Sequence, residues 1–229
     1  MGSPVADAGL LDVVIARLDI GAEAADASAA LLSGEERQRA ARFAGDRERR
    51  RFTVARARLR QLLGERLAVA PEAIELVYAA GGKPSLHPRF GSDLRFNVSH
   101  YLDVAAFAFA NGREVGVDVE GVRSLPDADA VAALAFSPRE HRTYLALDPI
   151  QKPLAFFNCW TRKEAFVKAL GEGLRHPLHR FDVSLVPGEP ARLERVESTP
   201  GESCGWILDA FTPGPQLVGA VVVAEYADG

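Results

Sequence analysis

Apolar and polar positions along the chain change period several times, and each change marks an element. Residues 11–20, LDVVIARLDI, are rich in β-branched side chains with partial alternation, which predicts a strand. Ser33 then precedes GEERQRAARFAG, with Glu36 three residues on, the spacing of a capping box and therefore of a helix start. Beyond Gly45, Phe52, Ala55, Leu59, Leu62 and Leu63 recur at helical spacing with arginines between them, predicting a long helix over 46–67. PEAIELVYAAGGKP reads as a helical turn, a strand through Glu75–Tyr78 and a Gly-Gly-Lys-Pro turn. LRFNVSH and DVAAFAFANGREVGVDVE follow. Asn111-Gly112, flanked by alternating apolar residues, predicts a hairpin with 103–110 and 113–120 as antiparallel partners and LRFNVSH beside them. Ser137-Pro138-Arg139-Glu140 opens another capped helix, and a longer one runs from Pro153 to Leu170 and stops at Gly171. FDVSLVP, ARLERVE, GWILDAF and QLVGAVVVAEY predict strands to the end. The order implies an α+β protein, one module written twice with a join near 109–120, although no residue-level repeat is visible.

Composition narrows the class. Apolar residues make up 48% and charged residues 25%, ordinary values for a globular chain large enough for one sizeable domain or two small ones. The longest apolar run, LVGAVVVA at 217–224, is too short to span a bilayer, and the N-terminal segment lacks the pattern of a secretory signal. Cys159 and Cys204 lie far apart, so no disulfide framework is expected. Together these predict a cytoplasmic protein with no membrane partner. The net charge of −4 argues against general nucleic-acid binding. That charge is uneven: ten arginines but only two acids, Asp46 and Glu48, fall between Arg37 and Arg60. A concentrated basic segment in an acidic chain points to a local anionic ligand.

Candidate chemistry lies in two segments. In GREVGVDVEGV, 112–122, Val115, Val117 and Val119 share one strand face, so Asp118 and Glu120 share the other, about 7 Å apart. On the later helix Trp160, Glu164 and Lys168 follow at i, i+4 and i+8 and lie along one face. Taken singly, the strand reads as a solvated face and the Glu-Lys pair as a common surface-helix pattern. Taken together, Asp118, Glu120 and Glu164 converge if the helix crosses the strand. Mg²⁺ takes hard oxygen ligands from one or two carboxylates plus phosphate and water, and guanidinium forks match phosphate oxygens. That set suits a site where a metal bridges a bound pyrophosphate.

GVDVEGV from Gly116 and WTRKEAFVKALGEGL from Trp160 resemble the paired signature of 4′-phosphopantetheinyl transferases. RRRFTVARARLRQLL, GGKP and RFNVSH fall in the right order upstream, and the length matches the larger, surfactin-type class rather than the single-module holo-acyl-carrier-protein synthases. The W-x-x-KEA form also resembles the branch associated with polyketide and nonribosomal-peptide pathways. The resemblance implies two pseudo-equivalent halves, 1–112 holding the nucleotide and 113–229 carrying the metal site. Each half would be a small antiparallel sheet with a long helix, and the active site would lie in the cleft between them. It implies transfer of 4′-phosphopantetheine from coenzyme A to a serine of an apo acyl or peptidyl carrier protein, releasing 3′,5′-ADP, with Mg²⁺ or Mn²⁺. Asp118, Glu120 and Glu164 match the metal-binding acids, with Glu164 or a metal-bound water as base. Lys168 matches the lysine beside the pyrophosphate that serves the leaving group, and Lys163 is expected to touch phosphate. Arg51, Lys83, Ser99 and His100 match positions holding the 3′-phosphate, nucleotide and pyrophosphate, and Arg39 and Arg42 are looser matches.

Two rivals remain open on the sequence. A nucleotide- or RNA-binding module would use the 37–60 basic helix, with the acids as surface decoration; of aromatic stacking positions only Phe43 and Phe52 qualify, and Phe52 is expected to be buried. A non-catalytic carrier-protein binder is the other, set against intact acids and Lys168. His176 and His179 have no third partner at zinc spacing and read as structural, as does Cys159. A monomer with internal pseudo-twofold symmetry is expected.

Overall fold

The chain's computed structural model describes residues 11–79, 82–171, 176–196 and 205–225. The first ten residues, Gly81 of the GGKP segment, Glu172, Gly173 and Leu174 of the second motif, and Cys204 lie outside them. Among the described residues no helix is long and apolar enough to cross a membrane.

The first half runs β1 (Leu11–Arg17), α1 (Ala22–Ala30), α2 (Gly34–Ala41), α3 (Asp46–Leu67), β2 (Leu76–Tyr78), β3 (Pro84–Leu86), β4 (Leu94–Tyr101) and β5 (Val104–Asn111). The second runs β6 (Val115–Gly121), α4 (Ala128–Ala135), α5 (Pro138–Leu145), α6 (Lys152–Leu170), β7 (Phe181–Val183), β8 (Leu193–Val196), β9 (Trp206–Phe211) and β10 (Leu217–Ala224). The order of elements is the same in both. So is the sheet order: β1-β5-β4 in the first half and β6-β10-β9 in the second, all antiparallel, with β2-β3 and β7-β8 as small companions. The expected doubled α+β module is therefore a property of the fold. Two further helices, α1 and α4, both Ala-rich, form where no element was expected.

The same buried clamp recurs in both halves. Ser33 caps α2 and Ser137 caps α5, each with a reciprocal glutamate, Glu36 and Glu140. Glu36 also takes an ion pair from Arg60 of α3 at 2.6 Å and one from Arg56 at 2.7 Å. Glu140 takes one from Lys163 of α6 at 2.8 Å. Arg60 donates onward to the carbonyls of Pro71 and Ile74, and Lys163 to those of Leu178 and Phe181. In each half those carbonyls border the 3₁₀ turn that precedes the small hairpin. Each clamp thus ties the short capped helix, the long helix and the chain after it.

The expected hairpin between 103–110 and 113–120 does not form. β5 is the middle strand of its sheet, with β1 on one edge and β4 on the other, so no edge is left for β6. The hairpin is β4–β5, closed with Tyr101 opposite Val104, and Leu102 at its tip takes φ +50°. Gly112 does adopt the positive φ a turn needs, +66°, but that turn carries the chain from one sheet to the other. β6 then runs beside β4 without a backbone ladder. Asn97 Oδ1 accepts from the Val117 N–H at 2.9 Å and Ser99 Oγ from the Val119 N–H at 3.3 Å. Side chains of β4 thus replace the missing ladder partner.

Three cores follow from strand alternation. Phe107 and Phe109 of β5 pack with Leu59, Leu62 and Leu63 of α3. The opposite-facing Ala106, Ala108 and Ala110 pack with Val115, Val117 and Val119 of β6 and with Val221 and Val223 of β10. Phe156, Phe157 and Phe166 of α6 make the third core with Phe181 and Val222.

Candidate active site

Because the valines of β6 face β5, Gly116, Asp118 and Glu120 face the other way. α6 covers that face over Gly116 and Asp118, while the Glu120 side chain stays partly exposed. A Cβ at Gly116 would lie 2.1 Å from the Ala165 carbonyl oxygen and 2.3 Å from the Ala169 nitrogen. Absence of a side chain at 116 therefore lets the helix backbone sit on the strand, one turn from Asp118.

The contact brings the separated motifs together. Lys168 Nζ lies 2.6 Å from Asp118 Oδ1. Ser99 Oγ donates to the same oxygen at 2.8 Å and accepts from Lys168 Nζ at 3.0 Å. Asp118 is 5% exposed, and its second oxygen, Oδ2, is buried without a hydrogen-bond partner. Burial, then the charge of Asp118, raises the Glu164 carboxyl above its ordinary range against the pull of Lys168. The same two causes raise Glu120, opposed by Arg123, whose Nη1 is 3.5 Å away. Glu164 and Glu120 thus both respond to the charge of Asp118. Hard carboxylate donors with an orphaned buried oxygen fit a divalent cation such as Mg²⁺ in type. Among the described residues, however, no three acidic, histidine or cysteine side chains stand close enough to hold an ion as they are placed.

Beside this cluster lies a cavity of about 510 Å³ lined by Arg39, Arg51, Arg56, Phe52, Val98 and His100, among others. The alternation of β4 joins the two: Val98 and His100 face the cavity, while Asn97 and Ser99 bond to β6. His100 stands at the cavity edge, where the surrounding protein, then the charges of Lys168 and Arg51, hold its imidazole below the usual range. Phe52 is only half-buried, contrary to expectation; it lies 5.2 Å from the Phe43 ring with Arg39 over its face. A second cavity, about 610 Å³, adjoins the first and includes Arg39, Arg42 and Phe43. No acid of the cluster lines either one.

Two expected ligands are placed elsewhere. Lys163 is 1% exposed and fully engaged in the Glu140 clamp, since one helical step from Glu164 turns it into the core behind α6. It lines neither of the two cavities. Lys83 Nζ is held by Glu114 at 3.0 Å and by the carbonyls of Ala169 and Val115 at 3.1 and 3.3 Å, where it caps the end of α6. Many arginines of the basic segment are likewise structural: Arg56 and Arg60 serve Glu36, Arg37 donates to the Leu32 carbonyl and Arg49 pairs with Asp46. Trp160 stacks on Phe156 with ring centroids 6.1 Å apart, as part of the α6 core. Cys159 is fully buried, and burial pushes its thiol up.

Comparison with known proteins matches this architecture. The pattern of the 4′-phosphopantetheinyl transferase superfamily covers residues 114–218, and that of the 4′-phosphopantetheinyl transferase N-terminal region covers 22–111. A 4′-phosphopantetheinyl transferase from Nostoc sp., HetI, is 39% identical over 86% of this chain and 81% of its own. The 4′-phosphopantetheinyl transferase of Bacillus subtilis is 29% identical over 70% and 69%. A solved holo-[acyl-carrier-protein] synthase from Thermotoga maritima aligns with 50% of this chain and 64% of its own, at 26% identity and a TM-score of 0.37, too low to equate the folds. With both halves matched and a relative of this identity spanning most of both chains, the chain belongs to the 4′-phosphopantetheinyl transferase family.

Proposed function

We propose that the protein transfers the 4′-phosphopantetheine group of coenzyme A to a serine of an apo acyl or peptidyl carrier protein, releasing 3′,5′-ADP. The observation that carries this reading is the Lys168–Asp118–Ser99 network, with Glu164 and Glu120 in the same field of charge. Arg51 and His100 are assigned to the nucleotide and its 3′-phosphate, with Arg39 beside them in the cavity and Arg42 in the adjoining one. The serine Oγ attacks the β-phosphorus and gives its proton to Glu164, whose raised carboxyl is the better base near neutrality. The Oγ–P bond forms as the bond from β-phosphorus to the bridging oxygen breaks. Lys168 stabilises the charge that collects on the departing phosphate, and Ser99 keeps its ammonium on the Asp118 side. Asp118 and Glu120 would hold Mg²⁺, or Mn²⁺ in its place, with Glu164 completing the set where it does not serve as the base; when bound, the ion would supply charge neutralisation to the pyrophosphate.

Incubation of a varied panel of apo-carrier proteins with coenzyme A, Mg²⁺ and the protein, read by mass spectrometry, should show one phosphopantetheine added to at least one carrier. No mass gain on any carrier, with Mg²⁺, Mn²⁺ or neither, overturns the reading.

A further inference from the structure

We infer that Asp19 is a positioning residue for the anion site, holding Arg51 in the orientation that meets the 3′-phosphate of coenzyme A. The inference rests on the function proposed above, in which Arg51 is a phosphate ligand.

Asp19 is anchored by its neighbour. Leu18 is 1% exposed in the first core, and its N–H donates to the Asp103 carbonyl at 2.7 Å, fastening the chain after β1 to the tip of the β4–β5 hairpin. From there the Asp19 carboxylate receives Arg51 as a two-pronged fork, Nε on Oδ1 and Nη2 on Oδ2, both at 2.7 Å. Such a fork fixes the guanidinium plane as well as its position. The Arg51 side chain is 11% exposed and lines the 510 Å³ cavity beside His100, so the edge outside the fork is the part available to an anion there. Ordinarily a carboxylate on an arginine would cancel its charge. Here Arg47 also pairs with Asp19 Oδ2, at 2.8 Å, so two cations share that one anion, while the charges of Asp103 and Glu48 also act on Arg51. The two guanidinia hold the Asp19 carboxyl far below its usual range. Lys, a point charge on a flexible stem, would gain nothing from such an arrangement; a planar fork does. Nothing in the sequence flags Asp19, which lies outside every motif.

The test compares binding of 3′,5′-ADP and of 5′-AMP by calorimetry with steady-state transfer, using the full chain. Asp19→Asn should weaken 3′,5′-ADP about tenfold, the scale of a charge-assisted contact taken out of register. It should raise KM for coenzyme A by a similar factor and leave kcat, 5′-AMP binding and KM for 3′-dephospho-coenzyme A unchanged. Combined with Arg51→Ala, the Asp19→Asn change should add nothing further, because it acts through that arginine. Unchanged or tighter 3′,5′-ADP binding by Asp19→Asn, while Arg51→Ala still weakens it, overturns the role of Asp19 alone. An Arg51→Ala variant that binds 3′,5′-ADP normally removes Arg51 from the site and the inference with it, while the transfer assay still stands by itself. Should Asp19→Asn fail to fold, Asp19→Ser with the same readouts decides the matter.

Discussion

The two halves repeat the same elements in the same order, yet only one carries the acids. Counting from the clamp cation makes the difference plain. In α6, Lys163 is followed by Glu164 and, five positions on, by Lys168; in α3, Arg60 is followed by Gln61 and, five positions on, by Glu65. On the strands, the first half has Val14 in the middle of β1 where the second has Asp118 in the middle of β6. The clamp is present twice and the reactive cluster once. What both halves keep is what the module needs to fold, and what one half holds alone is what the proposed reaction needs. Lys163 makes the point: it stands inside the reactive motif, yet its contacts are those of Arg60 in the half without acids.

The largest effect should come from the residue with no counterpart. Asp118→Asn should lower carrier modification by about a thousandfold, the scale of losing a positioned charge at a reaction centre. Gln61→Ala in the first half should change it less than about twofold. Mass-spectrometric rates compare them directly, and comparable losses would end the distinction drawn between the halves.

The clamps should behave alike instead. Glu140→Ala strands Lys163, at 1% exposure, and should cost about 3–5 kcal/mol in urea unfolding. Glu36→Ala strands Arg60, at 3%, and belongs in the same range. If one clamp tolerates alanine, the shared-scaffold reading fails for that half.

Gly116→Ala is a smaller perturbation at the seam of strand and helix. The added methyl meets the Ala165 carbonyl, so α6 must shift, at about 1–3 kcal/mol of stability. Because the shifting helix carries Glu164 and Lys168, kcat should fall about tenfold while KM for coenzyme A holds. A parallel loss in KM would mean the helix also shapes the nucleotide site.

The subtlest contrast is in pH. Two guanidinia outweigh burial at Glu36 and lower its carboxyl below 4.5, whereas burial outweighs the single ammonium at Glu140 and raises it. For Glu36 the unfolded chain protonates first, so its contribution is present above 4.5 and is lost as pH falls through the lowered native value. For Glu140 the native protein protonates first, so stability rises as pH falls from the raised native value toward 4.5. Unfolding curves of Glu36→Gln and Glu140→Gln against pH should therefore depart from the parent in opposite directions.

Local signals in the sequence were reliable because their causes are local. Both capping boxes, the stop at Gly171 and the long helices follow from side chains within a few residues of one another. The Asn111-Gly112 signal reports a turn, and a turn formed, but which strands pair depends on β1 and β4 claiming the edges of β5. Of the candidate site, the meeting of Lys168 with Asp118 follows from reading the motifs as a pair, whereas Asp118, Glu120 and Glu164, expected to converge, do not stand close enough to hold an ion among the described residues. The inward turn of Lys163 was hidden because its partner Glu140 looks like an ordinary helix cap. Asp19 was invisible, since a lone aspartate after a strand has no pattern; only the fold brings it to Arg51.

The seam where β4 lies beside β6 has a consequence for solubility. A three-stranded sheet has two raw edges that invite pairing with other chains. Asn97 and Ser99 bond to β6 while the two inner edges face each other, so neither inner edge is offered to a neighbour. The outer strands, β1 and β9, remain, and Ile15 and Ile207 stand exposed on them. If concentrated protein aggregates, those two strands are where cross-chain pairing begins.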